Sequence, residues 1–489
     1  MQLLFSLHLP LLPLQALRPC WSEPGPFAVI DGGRVLAVSA EAAALGVRPG
    51  LRAGGAQAIA PQAVLLERDL QKEADALQAA ILALFQFTPD IAHAPDFGLL
   101  LDVGPSLRLF HGPRALADKV LHCLSQQGLS ATLGAAPTAA GAWLLARRPR
   151  QRQRPLRRRC LRLATLATLL DSLPCSILPE AQPFLPLLTG IGARDLAALR
   201  RLPKSGLLRR TSVQLADALA GAYGESIELF RWISIPATFT ARLDTLERIE
   251  RADDLLEGAS RLLLQMTGWL TVRQLAAAAF TLLLLHERGR AAIAPTALEM
   301  VLAEPAWQDA HLLRLLKERL ARIELPAPVI GLQLDAVRLE AQAPPSGELF
   351  PQPGGSPADL LRLLELLSAR LGADNVLMPQ LTPDHRPEVC NTWGPAAVKP
   401  RRSTIDAEEL DRPFWLLEKP VKLLLRDERP YYGSPLALIR GPERIEAGWW
   451  NNQTAARDYY VAQGADAACY WIYRERGGDM HWYLHGLYG

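Results

Sequence analysis

Residues 97–112 read Phe-Gly-Leu-Leu-Leu-Asp-Val-Gly-Pro-Ser-Leu-Arg-Leu-Phe-His-Gly. The apolar run from Leu99 to Val103, closed by Gly104 and Pro105, has the length and punctuation of a buried strand. A second apolar piece follows and ends at Phe110. A buried strand commits the chain to a sheet, because its main-chain donors and acceptors need partners on both sides. Asp102 lies inside the run, where a carboxylate is costly unless paired or hydrogen-bonded. Its ordinary role would be that of a strand-end residue accepting main-chain N–H groups.

At 489 residues the chain is too long for one core and fits about three or four domains. With 49% hydrophobic and 21% charged residues it has the make-up of a folded, soluble protein. The net charge is only +3, so affinity for a polyanion must come from local basic patches. The six cysteines (20, 123, 160, 175, 390 and 469) show no C-x-x-C and no metal-ligand spacing, which fits buried thiols in a reducing cytoplasm. The apolar N-terminal stretch lacks a preceding positive charge, its first arginine being Arg18, and Pro10 and Pro13 interrupt it, so no signal peptide is expected. No run of 18 apolar residues occurs, and no membrane span is expected.

The stretch from Leu100 to Phe110 resembles the palm strand of Y-family (translesion) DNA polymerases. In that family an Asp-Glu pair precedes the residue matched by Asp102 by five and four positions; here those positions hold Phe97 and Gly98. Residues 2–9 read as a core strand. The family's first strand carries a metal-binding Asp and a second Asp two residues on, and the matching positions are Ser6 and His8. A hydroxyl and an imidazole are poor ligands for Mg²⁺, which favours hard carboxylate oxygens. Residues 35–51 read as a strand, a short Ala-rich helix, a Gly46 C-cap and a Pro49-Gly50 turn. They are similar to the fingers segment of the family, with Glu41, Ala42, Gly46 and Val47 in pattern. The Tyr and Arg that grip the triphosphate there are replaced by Ala40 and Ala43, and alanine cannot supply an arginine–phosphate fork.

Helical spacing continues through residues 70–85 and 115–127, and residues 131–148 read as a strand followed by a helix rich in small residues. Residues 147–162 hold nine arginines and no acid, which reads either as a solvated linker or as a phosphate-contacting segment. Residues 188–199 carry a helix-hairpin-helix signature in which Gly190 and Gly192 would admit a phosphate, with Arg194 beside them; an ordinary helical hairpin has the same pattern. Residues 212–223 read as a further helix. From 237 to 339 the periods alternate as β-α-β-β-α-β, an order that resembles the family's little finger. Arg242, Arg248, Arg251 and Arg273 are candidate backbone contacts or plain surface charge. Residues 341–358 form a Pro/Gly-rich linker containing Ser346, Leu349 and Phe350, close to the Gln-x-x-Leu-Phe peptide that hooks proteins onto the bacterial sliding clamp. A helix over 357–371 follows. Eight of the nine tyrosines and six of the eleven tryptophans lie beyond residue 390. That aromatic region resembles the C-terminal domain of the ImuB family; its rings could stack on bases, dock a protein or form a core.

The fold class read from this is a multidomain α+β chain. The resemblance divides it into palm and fingers (1–165, fingers about 18–68), a helix-hairpin-helix thumb (166–234), a little finger (235–340), the linker (341–358) and an aromatic-rich α+β interaction domain (359–489). It implies a pseudoenzyme, without metal or other cofactor, because two-metal phosphoryl transfer needs carboxylates to hold ions about 4 Å apart. It further implies a DNA-binding adaptor of damage-induced (SOS) translesion synthesis, cytoplasmic and nucleoid-associated, with no membrane contact. Its partners would be DNA, the sliding clamp, a RecA-like accessory protein (ImuA) and an error-prone C-family polymerase. An active but unorthodox translesion polymerase and a clamp-independent DNA-binding repair factor remain the alternatives.

Overall fold

The computed structural model describes residues 2–148, 157–287, 293–342, 357–396, 412–450, 454–477 and 480–488. The fold is multidomain and mixed α/β, with two compact units, residues 1–351 and 352–489. Among the described residues no helix is long and apolar enough to cross a membrane.

The first unit opens with β1 (Leu4–His8) and α1 (Leu12–Gln15). A small sheet of β2 (Phe27–Asp31), β3 (Arg34–Val38) and β4 (Val64–Glu67), in the order β3-β2-β4, carries α2 (Ala40–Ala44) and α3 (Ala53–Ile59). Then come α4 (Leu70–Leu84), β5 (Ile91–Ala94), β6 (Gly98–Asp102), α5 (Pro113–Gln126), β7 (Thr132–Ala136) and α6 (Ala139–Arg147). The Asp69 carboxylate caps α4 by accepting the N–H groups of Gln71 and Lys72. The main sheet has the order β5-β6-β1-β7 with antiparallel pairs throughout. Beyond β6 the chain makes one 3₁₀ turn, Pro105–Arg108, and Leu109 is exposed, so the second apolar piece adds no strand.

Five short helices follow: α7 (Leu163–Asp171), α8 (Leu185–Gly190), α9 (Leu196–Arg201), α10 (Lys204–Arg210) and α11 (Val213–Tyr223). They share one apolar core with α6, which includes Trp143, Leu166, Leu196 and Leu215. The connection leaving α11 returns to the main sheet. The Glu228 carboxylate accepts the N–H groups of Ala139 (2.7 Å) and Ala140 (2.8 Å) at the start of α6. Phe230 packs on Leu4, Ala92, Leu100 and Ala139. Trp232 bridges to Ala92, and the Ile233 N–H donates to the Ile91 carbonyl at 2.7 Å, so the connection lies along the β5 edge. At the opposite edge, Ala135 of β7 donates to the Arg158 carbonyl and accepts from the Cys160 N–H.

The unit ends with β8 (Thr240–Ile249), α12 (Leu255–Arg273), β9 (Leu275–His286), β10 (Thr296–Ala306), α13 (Asp309–Leu320) and β11 (Val329–Ala341). This is the β-α-β-β-α-β order read from periodicity, with the strand expected near 292–302 placed a few residues later. The sheet order is β10-β9-β11-β8. Helix α12 lies against α4 so closely that a methyl group on Gly268 would collide with the Leu82 and Ala83 carbonyl oxygens.

The second unit begins with α14 (Pro357–Leu371), ended by Gly372 at φ 97°. A hairpin pairs β12 (Leu377–Leu381) with β13 (Asn391–Pro395). After β14 (Trp415–Lys422), a small sheet forms from β15 (Leu424–Arg426), β16 (Arg429–Tyr432) and β17 (Ser434–Pro435). The last strands are β18 (Ala437–Ala447), β19 (Ala455–Gln463), β20 (Cys469–Glu475) and β21 (Trp482–Leu487), in a sheet of order β14-β21-β20-β19-β18. The aromatic question has a divided answer. Tyr459, Trp471 and Tyr473 are core, the first two stacked at 4.1 Å, whereas Trp449 and Trp450 are exposed. The Tyr459 hydroxyl lies 2.8 Å from His485 Nδ1 and accepts from Arg457, which pairs with Glu388 at 2.9 Å. Burial pushes the Tyr473 phenol up to about 12 and the His485 imidazole below its ordinary value.

Two predictions follow from this packing. Gly268→Val is expected to lower the urea midpoint, costing about 1–3 kcal/mol of overpacking. Gly206→Ala, where a methyl group meets nothing within 4 Å, should leave it unchanged or raise it; an unchanged midpoint in Gly268→Val would contradict the close helix contact. For His485, the unfolded chain gains a proton near its ordinary value of 6.5 while the folded one resists. Stability of the second unit is therefore complete above about pH 6.5 and falls as pH drops toward the lower folded-state value. Hydrogen exchange across β19–β21, corrected for intrinsic rates, should speed up on acidification, and His485→Phe should flatten that dependence.

Candidate functional site

The positions matched to metal-binding carboxylates converge at one end of the β1–β6 pair. His8 faces Gly98 across the pair, and Ser6 faces Leu100 on one side and Gly134 on the other. Ser6 is fully buried, and among the described residues its Oγ has no hydrogen-bond partner. The β5–β6 turn is made by Pro95, Asp96 and Phe97, the last two in left-handed backbone at φ 53° and 59°. Gly98 has no room for a side chain: a β-carbon there would lie 2.8 Å from the Pro95 carbonyl oxygen and 2.9 Å from the Ala94 methyl. A carboxylate-bearing side chain has no space at residue 98. Among the described residues no three His, Cys, Asp or Glu side chains are grouped to hold a metal ion.

A cation stands there instead. Arg147, at the C-terminal end of α6, places Nη1 2.6 Å from Asp96 Oδ2 and its guanidinium 4.3 Å from the Trp143 ring. Burial, together with the positive charges of Arg147 and Arg158, holds the His8 imidazole below its ordinary value, and Asp96 opposes them. Arg158 is fixed by a 2.7 Å hydrogen bond to the Arg148 carbonyl. The Arg68 guanidinium lies 5.6 Å from the Phe97 ring centre and is itself paired with Glu73 and Asp31. Asp102, at the far end of the β1–β6 pair opposite Leu4, accepts the Gly104 N–H at 3.0 Å, the bland role expected of a strand-end carboxylate.

The other anticipated residues are dispersed. Ala40 and Ala43 lie on α2, whose start is capped by Ser39; Arg48 donates to the main-chain carbonyls of Ala43 and Val47. In the 188–199 hairpin, Gly192 has φ 80°, and the N–H groups of Ile191, Gly192 and Ala193 donate to carbonyls of α8. The Asp195 carboxylate caps α9 through the Ala198 N–H, so the amides expected to face a phosphate are engaged internally. Arg194 is exposed beside this turn. Sequence reasoning passed over the doublets Arg200-Arg201 and Arg209-Arg210: Arg201, Arg209 and Arg210 are exposed, and Arg210 lines a groove of about 200 Å³ with Leu187, Ile191 and Leu207. Arg242 is paired with Asp244 at 2.9 Å, Arg248 with Glu287 at 2.6 Å, and Arg273 is exposed at the end of α12. Register puts Asp335, Thr281 and Glu299 in one cross-strand row. The outward sheet face therefore carries Asp244, Asp335 and Glu299 against Arg242 and Arg338, a poor match for a phosphate backbone. Ser346, Leu349 and Phe350 lie outside the described residues, as do positions 149–156 of the arginine-rich run.

The impB/mucB/samB family profile matches residues 15–147. The chain is 26% identical over 470 residues to the Protein ImuB of Caulobacter vibrioides (strain NA1000 / CB15N), spanning 91% of this chain and 100% of that one. It is 29% identical over 215 residues to DNA polymerase IV 2 of Mesorhizobium japonicum, 44% of this chain and 49% of that one. A solved Dbh ternary complex aligns with TM-score 0.40 and 18% identity over 68% of this chain and 99% of that one.

Restoring carboxylates should not restore a metal site. Ser6→Asp and Gly98→Glu are each expected to lower stability, the former by about 2 kcal/mol or more for an unpaired buried charge. The combined variant should show no Mn²⁺ binding by calorimetry or electron paramagnetic resonance. Ser6→Ala should be nearly neutral, since it removes a hydroxyl with no partner. Tight Mn²⁺ binding by the carboxylate variant would show that the centre still has room for an ion.

Proposed function

Since the chain belongs to the ImuB family, we propose that it is a DNA-binding adaptor of translesion synthesis that has given up phosphoryl transfer. In this reading residues 1–165 correspond to palm and fingers, 166–234 to the thumb and 235–340 to the little finger. The observation that carries the reading is the altered centre on β1 and β6: a buried Ser6 hydroxyl, a Gly98 without space for a side chain, and Arg147 beside Asp96. In-line phosphoryl transfer needs two ions clamped between the attacking and leaving oxygens, and Ser6, His8, Phe97 and Gly98 offer no carboxylate for them. The loss of Tyr and Arg at Ala40 and Ala43 removes the triphosphate grip independently.

A protein of this build serves by holding others in place. The 341–358 linker with Leu349 and Phe350 would tether it to the sliding clamp, two adjacent apolar anchors in a short linear peptide being enough to enter a hydrophobic cleft. The second unit would receive the RecA-like accessory protein ImuA and an error-prone C-family polymerase, the exposed Trp449 and Trp450 being suited to such contacts.

Two measurements test this. Purified protein is expected not to extend a primer with Mg²⁺ or Mn²⁺; extension that disappears in Asp96→Ala would establish a polymerase with a displaced metal site. Clamp binding is expected in the wild type and should vanish in the Leu349→Ala/Phe350→Ala double variant. Unchanged binding in that variant would place the clamp contact elsewhere.

A further inference from the structure

The altered centre is not an empty relic, because its charge has changed sign. Where a two-metal site gathers carboxylates, this one brings Arg147 and Arg158 to act on His8, and the Asp96 carboxylate meets Arg147. Arg147 is prepared to bind an anion. Trp143 supports the face of its guanidinium, which limits the conformations it must lose on binding. Asp96 meets it through a single nitrogen, Nη1, whereas a guanidinium has five N–H donors and suits a bidentate oxyanion. Arg158 is anchored by its own hydrogen bond to the Arg148 carbonyl and sits where residues 157–160 run along β7. A half-buried site of this kind strengthens charge-assisted hydrogen bonds relative to open water.

We propose that the altered centre is a metal-free phosphate site, in which Arg147 and Arg158 grip a backbone phosphate of DNA and Asp96 occupies the Arg147 fork until the phosphate arrives. This deepens the DNA-binding part of the proposed function and depends on it: the polymerase-like scaffold keeps hold of nucleic acid at the place where the chemistry was lost, with arginine charge replacing the metal ions. Phosphate binding here is electrostatic and independent of sequence, so it must weaken with salt as counterions are no longer released to advantage.

The test is fluorescence anisotropy of the full-length protein with a labelled primer–template duplex bearing a single-stranded overhang, over a range of salt concentrations. Arg147→Gln/Arg158→Gln is expected to weaken binding about tenfold and to lower the slope of log K against log salt by about two. Asp96→Asn, which removes the competing carboxylate, is expected to tighten binding, a change that damage to the fold would not produce. Equal affinity and slope in the double variant, or no tightening in Asp96→Asn, would overturn the phosphate site while leaving DNA binding in place. A free deoxynucleoside triphosphate that competes with the oligonucleotide at micromolar concentration would overturn the assignment to a backbone phosphate. A wild-type protein that binds no DNA would sink the DNA-binding reading itself.

Discussion

Helix α6 can lie where it does only because residue 134 has no side chain. A β-carbon on Gly134 would collide with the Ala142 carbonyl and the Ala146 amide, so helix and sheet meet backbone to backbone. Much of the first unit depends on that approach. Ser6, directly opposite Gly134 in the register, is sealed from water beneath it. Trp143 is carried into the core of the five-helix module. The start of the helix is brought within reach of Glu228. Its last residue, Arg147, is delivered beside Asp96. A polar side chain at 134 would disturb all of these together, because interiors are packed too densely to absorb even one added group locally.

The consequence for chemistry is that this end of the β1–β6 pair differs from a metal site in three separate physical respects. The side chains are the wrong kind, since an imidazole nitrogen and a neutral hydroxyl offer no anionic carboxylate oxygen. The space is closed, since Gly98 touches the turn that precedes it. The field has the wrong sign, since the nearest guanidiniums repel a divalent cation. Each is held by a different part of the chain: the composition of β1, the hairpin between β5 and β6, and the end of α6. A single substitution cannot reverse all three.

The fold was legible wherever it rests on local pattern. The apolar run at 99–103, the strand near residues 4–8, the spacing of α4 and the β-α-β-β-α-β order all follow from periodicity and punctuation. Ser6, His8, Phe97 and Gly98 were singled out from the sequence, and the structure sets Ser6, His8 and Gly98 on the β1–β6 pair with Phe97 in the turn before it. What replaced the lost groups was not legible, because Arg147 meets Asp96 across some fifty residues and no periodicity encodes which cation reaches which carboxylate. The same limit hid the acidic outward face of β8–β11, which emerges only once register aligns Asp335 with Glu299. It also hid Glu228, an unremarkable acid in a connection until its carboxylate meets the α6 amides. Aromatic residues past 390 could not be sorted in advance, since Tyr459 and Trp450 differ in position relative to the sheet rather than in type.

The connection through Phe230, Trp232 and Ile233 has a wider effect than joining two modules. It runs along β5, and residues 157–160 run along β7, so both outer strands of the main sheet already have main-chain neighbours. These contacts take up part of each edge, which hinders a foreign strand from pairing there. In the second unit β14 and β18 end their sheet with long, largely exposed strands. The contrast is topological: the two outer strands of the main sheet carry neighbours from their own chain, whereas among the described residues no further strand pairs beyond β14 or β18 in theirs.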